Sequence, residues 1–308
     1  MSKTLVFGHQ NPDTDTITSA LVMAEFLKAQ GVEAEAVAFA EPSSETNYAL
    51  EHFQIDAPRV VETVANETSR VALVDHNEPQ QSAPDIQDVT ITHVIDHHRV
   101  SGFETTDPLY MRVEPVGCTG TILNKMFKEQ GFEVTKESAG LMLSAIISDT
   151  LLFKSPTNTP EDEAAAKELA KIAGVDLKDY GLNLLRAGTN LGEKSDDDIL
   201  NADAKNFDMH GKNVRIGQVN VIGFDEIQQR EAAILQLMND QLSENGYDLF
   251  ALIITDVLES DSYSLVVGED LSAFESAFAK KVTDHKVDLP GVVSRKKQIV
   301  PPLTNAYE

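Results

Sequence analysis

The chain has 308 residues, with 50 acidic against 25 basic side chains and a formal net charge of −25. So acidic a surface repels a nucleic-acid backbone, and with no tryptophan to stack bases the composition argues against nucleic acid as a general partner. The length allows two domains with cores of their own.

Met1-Ser2-Lys3-Thr4 leads straight into a strand-like run with no apolar leader, and no apolar stretch reaches bilayer length. The expectation is a cytoplasmic protein with no membrane contact. Leu5-Val6-Phe7-Gly8 reads as a buried strand running into His9. After the loop to Asp15, residues 16–29 place Ile17, Leu21, Met23, Ala24 and Leu27 on a helical period, with Gly31 as the stop. Val37 to Phe39 predicts a strand and Tyr48 to Phe53 part of a helix. Two further apolar runs follow: Val71 to Val74 ends in Asp75-His76-Asn77, and Val94-Ile95 ends in Asp96-His97-His98. Cys118 is the single cysteine, so no intrachain disulfide forms and a reducing compartment suits the chain. Thr119 to Gln130 and Ser138 to Thr150 predict helices, and Thr159-Pro160-Glu161-Asp162 is a helix start with its cap, its first-turn proline and its acids in place. Repeated βα units predict a parallel, helix-covered sheet.

The texture changes at Ala187-Gly188-Thr189-Asn190-Leu191-Gly192-Glu193-Lys194, which reads as a linker or hinge. Strands are expected at Val214 to Ile222, Leu249 to Ile254 and Tyr263 to Val267. A helix with Ile227, Ile234, Leu235, Met238 and Leu242 on one face lies among them. Phe274 to Val282 reads as helical, and the chain as extended at Pro301-Pro302. The fold class is thus α/β, with a parallel-sheet domain over 1–188, a linker over 189–194 and a smaller α+β domain over 195–308.

In parallel sheets ligands gather beyond the carboxyl ends of the strands, where His9, Asp75 and His97 would emerge. A capped strand-to-helix turn would by itself account for Gly8-His9-Gln10-Asn11-Pro12-Asp13-Thr14-Asp15. The other strand ends change the weighing: His9, Asp13, Asp15, Asp75 and His97 would converge on one sheet edge, and Asp149 closes a nearby apolar stretch. Four carboxylates and two neutral imidazoles bring two divalent cations to formal neutrality. Such a mixed set suits Mn²⁺, Fe²⁺ or Co²⁺ better than Mg²⁺ or Ca²⁺, and it lacks the thiolates of structural zinc. Asp75, on a central strand, is the candidate bridge between the two ions. His98, past the strand, reads as a donor towards substrate, and Asp96 as the carboxylate that fixes an imidazole tautomer. His76 and His93 have weaker cases. Ser294-Arg295-Lys296-Lys297-Gln298 concentrates positive charge between apolar flanks. It can grip an anion if a turn or bulge lets Arg295 and Lys296 act together.

The segments GHQNPDTD at 8–15, VDHNE at 74–78, VIDHHR at 94–99, ISDT at 147–150, KSPT at 154–157, AGTNL at 187–191 and GVVSRKKQ at 291–298 closely resemble family II inorganic pyrophosphatases. These are the two-domain manganese enzymes of the DHH phosphoesterase superfamily. The resemblance implies His9, Asp13 and Asp75 at one metal, and Asp15, Asp75, His97 and Asp149 at the other. It also implies His98, Lys205, Arg295 and Lys296 around a diphosphate. The implied reaction is hydrolysis of magnesium pyrophosphate to two orthophosphates by hydroxide generated at two Mn²⁺ (Co²⁺ also suits the ligands), with the C-terminal domain closing over the metals. A homodimer through the N-terminal domain is further implied. A short-chain exopolyphosphatase is the rival activity, and a non-catalytic metal or phosphate sensor the rival from another class.

Overall fold

The structure, a computed structural model, describes residues 3–189, 191–201 and 203–308. The chain divides into two compact units, Met1–Gly188 and Thr189–Glu308.

The first unit opens with β1 (Thr4–Phe7), α1 (Thr14–Ala29), β2 (Ala34–Ala38), α2 (Ser44–His52) and β3 (Arg59–Val60). It continues through β4 (Arg70–Val74), β5 (Thr90–Asp96) and β6 (Tyr110–Val113) to α3 (Thr119–Gln130), α4 (Lys136–Thr150), α5 (Pro160–Ala173) and α6 (Leu177–Thr189). The strands form one sheet in the order β3-β2-β1-β4-β5-β6, with every neighbouring pair parallel. The expected parallel sheet is therefore present, and β1, β4 and β5 lie side by side at its middle. Because they point the same way, the residues just past each of them meet at one edge. Side chains alternate across a strand. Leu5, Phe7, Val71, Leu73 and Val94 therefore share one core with Val37, Val64, Ala83 and Ile86, while α1 and α3 also pack against the sheet. Helix cover is not uniform. Between β4 and β5 the chain makes only short 3₁₀ turns, Pro79–Gln81 and Ile86–Asp88, in a segment where Pro79 and Pro84 cannot donate to a helix ladder.

The second unit contains α7 (Asp196–Asn201), β7 (Ala204–Met209), β8 (Lys212–Val221), α8 (Asp225–Gln228), α9 (Glu231–Asn245) and β9 (Leu249–Asp256). After these come β10 (Asp261–Gly268), α10 (Ser272–Phe278), β11 (Lys286–Leu289) and α11 (Val300–Ala306). Its sheet runs β11-β10-β9-β8-β7, with β8 and β9 parallel and the other pairs antiparallel. Every residue of β9 is buried. Phe250, Leu252 and Ile254 join Ile234 and Met238 on one face, whereas Leu249, Ala251 and Ile253 join Phe274 and Leu303 on the other. This mixed sheet with helices on both faces is the α+β arrangement expected.

Three local expectations are corrected. The chain is not extended at Pro301-Pro302: both prolines occupy the first turn of α11, where a missing N–H costs nothing. The helix expected to reach Val282 stops at Phe278, because Ala279 adopts φ 51° and caps it in the left-handed region. The single helix expected from Ile227 to Leu242 is two, α8 and α9, interrupted at Gln229 and Arg230. Around the predicted linker, α6 continues to Thr189 and a 3₁₀ turn spans Leu191–Glu193; Asn190 lies outside the described residues. Among the described residues, no helix is long and apolar enough to cross a membrane.

Candidate active site

Each predicted metal ligand sits where a regular element has just ended or is about to begin. His9 follows β1. Asp13 is the N-cap of α1, accepting from the Thr16 amide at 2.9 Å, and Asp15 lies in that helix's first turn. Asp75 directly follows β4 with φ 57°, a left-handed conformation rare for a residue with a Cβ, and its amide donates to the Ile95 carbonyl at 2.9 Å. β5 ends at Asp96, so His97 and His98 escape strand alternation and their rings come to 4.2 Å. Asp149 lies in the last turn of α4, which closes through Leu151, Leu152 and Phe153, three successive residues at positive φ.

These side chains form three overlapping donor groups: His9, Asp13 and Asp75; Asp15, His97 and Asp149; and Asp75, His97 and His98. Asp75 is the hub. Its Oδ2 lies 3.4 Å from His9 Nε2 and its Oδ1 lies 3.3 Å from His97 Nε2 and 3.7 Å from His98 Nδ1. His9 Nε2 is 3.5 Å from Asp13, and His97 Nε2 is 3.9 Å from Asp15 and 3.7 Å from Asp149. All six predicted ligands, and His98, are thus brought together within the first unit.

Supporting contacts orient the donors. His97 Nδ1 donates to the Val116 carbonyl at 3.2 Å, which turns Nε2 towards the carboxylates. Asp15 accepts from Ser19 Oγ at 2.6 Å and from the Thr119 amide at 2.9 Å. Asp96 accepts from His98 Nδ1 at 3.0 Å and from Asn77 Nδ2 at 2.6 Å, so the imidazole it fixes is that of His98. His76 is buried, with its two nitrogens on the Val74 carbonyl and Ser82 Oγ, a structural role in keeping with its weaker case. Thr16 stands out in sequence only as a larger residue than the family often has there; the structure adds that its hydroxyl donates to Asp75 Oδ2 at 2.6 Å. Its methyl packs so tightly on Gly8 that a Cβ there would lie 2.5 Å from it. The Gly8-to-Thr16 spacing across the strand-to-helix turn was the available signal.

The electrostatics are those of clustered carboxylates and imidazoles in a largely buried setting. Burial disfavours a charged His9, but Asp13 and Asp75 override it and push the imidazole up to about 10. Burial is likewise overridden at His97, which Asp75 and Asp15 push up to about 9. Burial and the neighbouring Asp75 charge push Asp15 up to about 6. Burial, with Asp15 and Asp75, holds Asp149 well above the usual carboxylate range. Asp75 goes the other way: burial opposes its charge, yet His9 and His97 keep it ionised. Asp149 Oδ2 is buried without a hydrogen-bond partner among the described residues. An orphaned carboxylate oxygen beside imidazole nitrogens, in a nest of like charges, fits divalent cations.

The predicted anion-binding residues lie in the second unit. Arg295–Ile299 is a single π-helical turn, N-capped by Ser294, so Arg295 and Lys296 are not divided by a strand. The Gln298 side chain accepts from the Val293 and Ser294 amides at 2.9 and 3.0 Å, and Gln218 accepts from the Arg295 amide at 3.1 Å. Arg295 is buried. Its guanidinium donates to Asp203 Oδ1 at 2.8 Å, to the Ile216 carbonyl at 3.3 Å and to the Asp203 carbonyl. Three of its five N–H groups are engaged in this way. Lys205 is exposed on β7 opposite Ile216, and Lys296 is exposed on the π-helical turn.

Residues 3–146 match the DHH family, N-terminal domain, and residues 182–306 match the DHHA2 domain. The chain is 55% identical over 310 residues to a Lactobacillus helveticus protein named a probable manganese-dependent inorganic pyrophosphatase, with all of both chains covered (100%). A protein of the same name from Shouchella clausii is 55% identical over 306 residues, covering 99% of this chain and 98% of the relative. Among solved structures, a Methanococcus jannaschii protein described as a "putative family II inorganic pyrophosphatase" is 40% identical, with TM-score 0.61 and 99% of each chain covered. An exopolyphosphatase-related protein from Bacteroides fragilis shares the fold alone, at 16% identity and TM-score 0.52 over 99% of this chain and 91% of its own. The donor-bearing strand ends and the SRKKQ turn lie within those full-length matches, and the chain belongs to the family of manganese-dependent, family II inorganic pyrophosphatases.

Proposed function

We propose that the chain hydrolyses inorganic pyrophosphate to two orthophosphates at a dinuclear metal centre held by His9, Asp13, Asp15, Asp75, His97 and Asp149. The observation that carries this reading is the placement of Asp75, with one carboxylate oxygen facing His9 and the other facing His97. When bound, two Mn²⁺ ions (or Co²⁺) would supply hydroxide near neutral pH and polarise phosphoryl oxygens. The protein's own groups do the rest. His98, oriented by Asp96, offers a hydrogen bond to the substrate; Lys205, Lys296 and Arg295 neutralise the diphosphate and the departing phosphate. Substrate arrives as its magnesium complex, because bare pyrophosphate would be repelled by a chain of net charge −25. The single cysteine, which allows no intrachain disulfide, suits a reducing compartment such as the cytoplasm.

The decisive experiment strips metal with a chelator, restores Mn²⁺, Co²⁺ or Mg²⁺ singly, and measures phosphate released from magnesium pyrophosphate. Mn²⁺ and Co²⁺ should activate more than Mg²⁺ alone, because two of the six ligands are imidazoles. Equal activation by Mg²⁺ at matched occupancy would count against the ligand set. Preferential hydrolysis of tripolyphosphate would favour the exopolyphosphatase reading, and no turnover with any metal the sensor.

Every ligand precedes Gly188 and every proposed phosphate cation follows it. The reading therefore requires the second unit to close on the first, which would also exclude bulk water from the reaction. Tyr110 and Met111, exposed by 46% and 37% on the edge strand β6, are proposed to pair with a second copy as a homodimer. Small-angle scattering reads both proposals. It should report a dimeric mass, and a smaller radius of gyration when a non-hydrolysable diphosphate is added with metal. A monomeric mass would reject the dimer, and an unchanged radius the closure.

A further inference from the structure

Glu45, in the first turn of α2, is a half-buried acid with no part in the scheme above. One of its oxygens, Oε1, accepts two hydroxyls at once: Thr14 Oγ1 at 2.7 Å and Ser148 Oγ at 2.5 Å. Thr14 stands between Asp13 and Asp15 at the start of α1, and Ser148 is the residue before Asp149 at the end of α4. A single oxygen therefore clamps two segments that are 134 positions apart in sequence and deliver ligands to the same group. The other oxygen, Oε2, faces Gly188 near the end of α6, so closely that a Cβ on Gly188 would lie 2.6 Å from it. Thr14 is held in addition by Thr46 Oγ1 at 3.1 Å, which seats the α1 start against α2. Burial, with the nearby Asp13 charge, pushes the Glu45 carboxyl up, so placing an acid here has an electrostatic cost.

We propose that Glu45 is a positioning residue that sets the spacing of the Asp15–His97–Asp149 donor group by tying Thr14 of α1 to Ser148 of α4 from its seat against Gly188. The inference rests on the metal-centre reading above. Asp15 and Asp149 repel each other, and neither carries a lysine or arginine partner among the described ion pairs. A fixed tether between their helices is what keeps both carboxylates within reach of one ion. His9, Asp13 and Asp75 depend less on it, because His9 and Asp75 extend from the neighbouring strands β1 and β4.

The test uses the full chain and Mn²⁺ as the probe, with binding followed by titration calorimetry and occupancy at each donor group by anomalous diffraction at the manganese edge. Glu45→Ala should weaken Mn²⁺ at the Asp15–His97–Asp149 group by about 10- to 100-fold, the usual consequence of losing an outer support, and leave the His9–Asp13–Asp75 group within about threefold. Glu45→Gln retains the Oε1 acceptor without the charge and should restore binding. Ser148→Ala, which removes one donor and no packing volume of consequence, should reproduce the selective loss in smaller measure. It remains informative if Glu45→Ala folds poorly. Unchanged affinities in Glu45→Ala and Ser148→Ala, equal loss at both groups, or failure of Glu45→Gln to restore binding would each overturn the proposal. Wild-type chain that takes up no Mn²⁺ at either group would instead overturn the metal-centre reading itself.

Discussion

Asp75→Asn is expected to lose metal and turnover together, whereas Lys296→Ala should lose turnover with its metal intact. Among the described residues, Asp75 belongs to two of the three donor groups and faces both His9 and His97. The amide keeps the size but removes the charge, and it presents an N–H₂ to one of the two imidazoles or ions. Metal affinity and kcat should fall by more than the roughly 100-fold typical of losing an outer partner. Lys296 lies on the π-helical turn of the second unit, outside the ligand set. Removing one charge-assisted hydrogen bond to phosphate costs about 1.5–3 kcal/mol, a ten- to hundredfold effect. If Lys296 acts on the transition state, kcat and kcat/KM decline in step; if it only binds substrate, KM rises instead. Elemental analysis beside steady-state kinetics separates the two variants. Asp75→Asn with full metal and normal turnover, or Lys296→Ala with unaltered kinetics, would remove the residue from its role.

The thermal stabilisation produced by Mn²⁺ should grow as pH rises from about 6.5 towards 9, because metal must displace protons from the imidazoles. Without metal, His9 is raised to about 10 and His97 to about 9, from 6.5. Groups with raised folded values contribute stability that is full below pH 6.5 and is lost as pH climbs through about 9 and about 10. Asp15, raised from 3.8 to about 6, has the same sign over a more acidic window. The metal-free protein therefore loses stability over the interval in which the ligands become free to coordinate. Apparent Mn²⁺ affinity should increase by up to about tenfold per pH unit for each proton displaced. Melting curves with and without Mn²⁺ across this range provide the measurement. An increment that is flat or shrinks with pH would mean the imidazoles do not exchange protons for metal.

Much of the first unit is legible in sequence because its signals are local. Val71 to Val74 and Val94-Ile95 are apolar runs too short for helices, and polar residues punctuate both ends. The residues that support the ligands are less legible. Asn77 reaches Asp96, Thr119 reaches Asp15 and Asp162 holds the Gly117 amide at 2.8 Å, across 19, 104 and 45 positions respectively. No period or motif records such contacts. Pro301-Pro302 misleads for a different reason: proline breaks a helix interior but suits its first turn, and only the position of the helix start distinguishes the two.

By itself the sequence determined the parallel βα pattern, the six donor types at strand and helix ends, and the basic SRKKQ run, because propensity, alternation and charge are written residue by residue. Tertiary structure alone decided that β1, β4 and β5 lie adjacent, that Asp75 turns through a left-handed conformation to face two imidazoles, and that Arg295 docks on Asp203. Those features come from strand order, helix packing and competition among distant partners for the same buried hydrogen bonds. Their energies depend on which groups share a space, which a linear pattern does not encode.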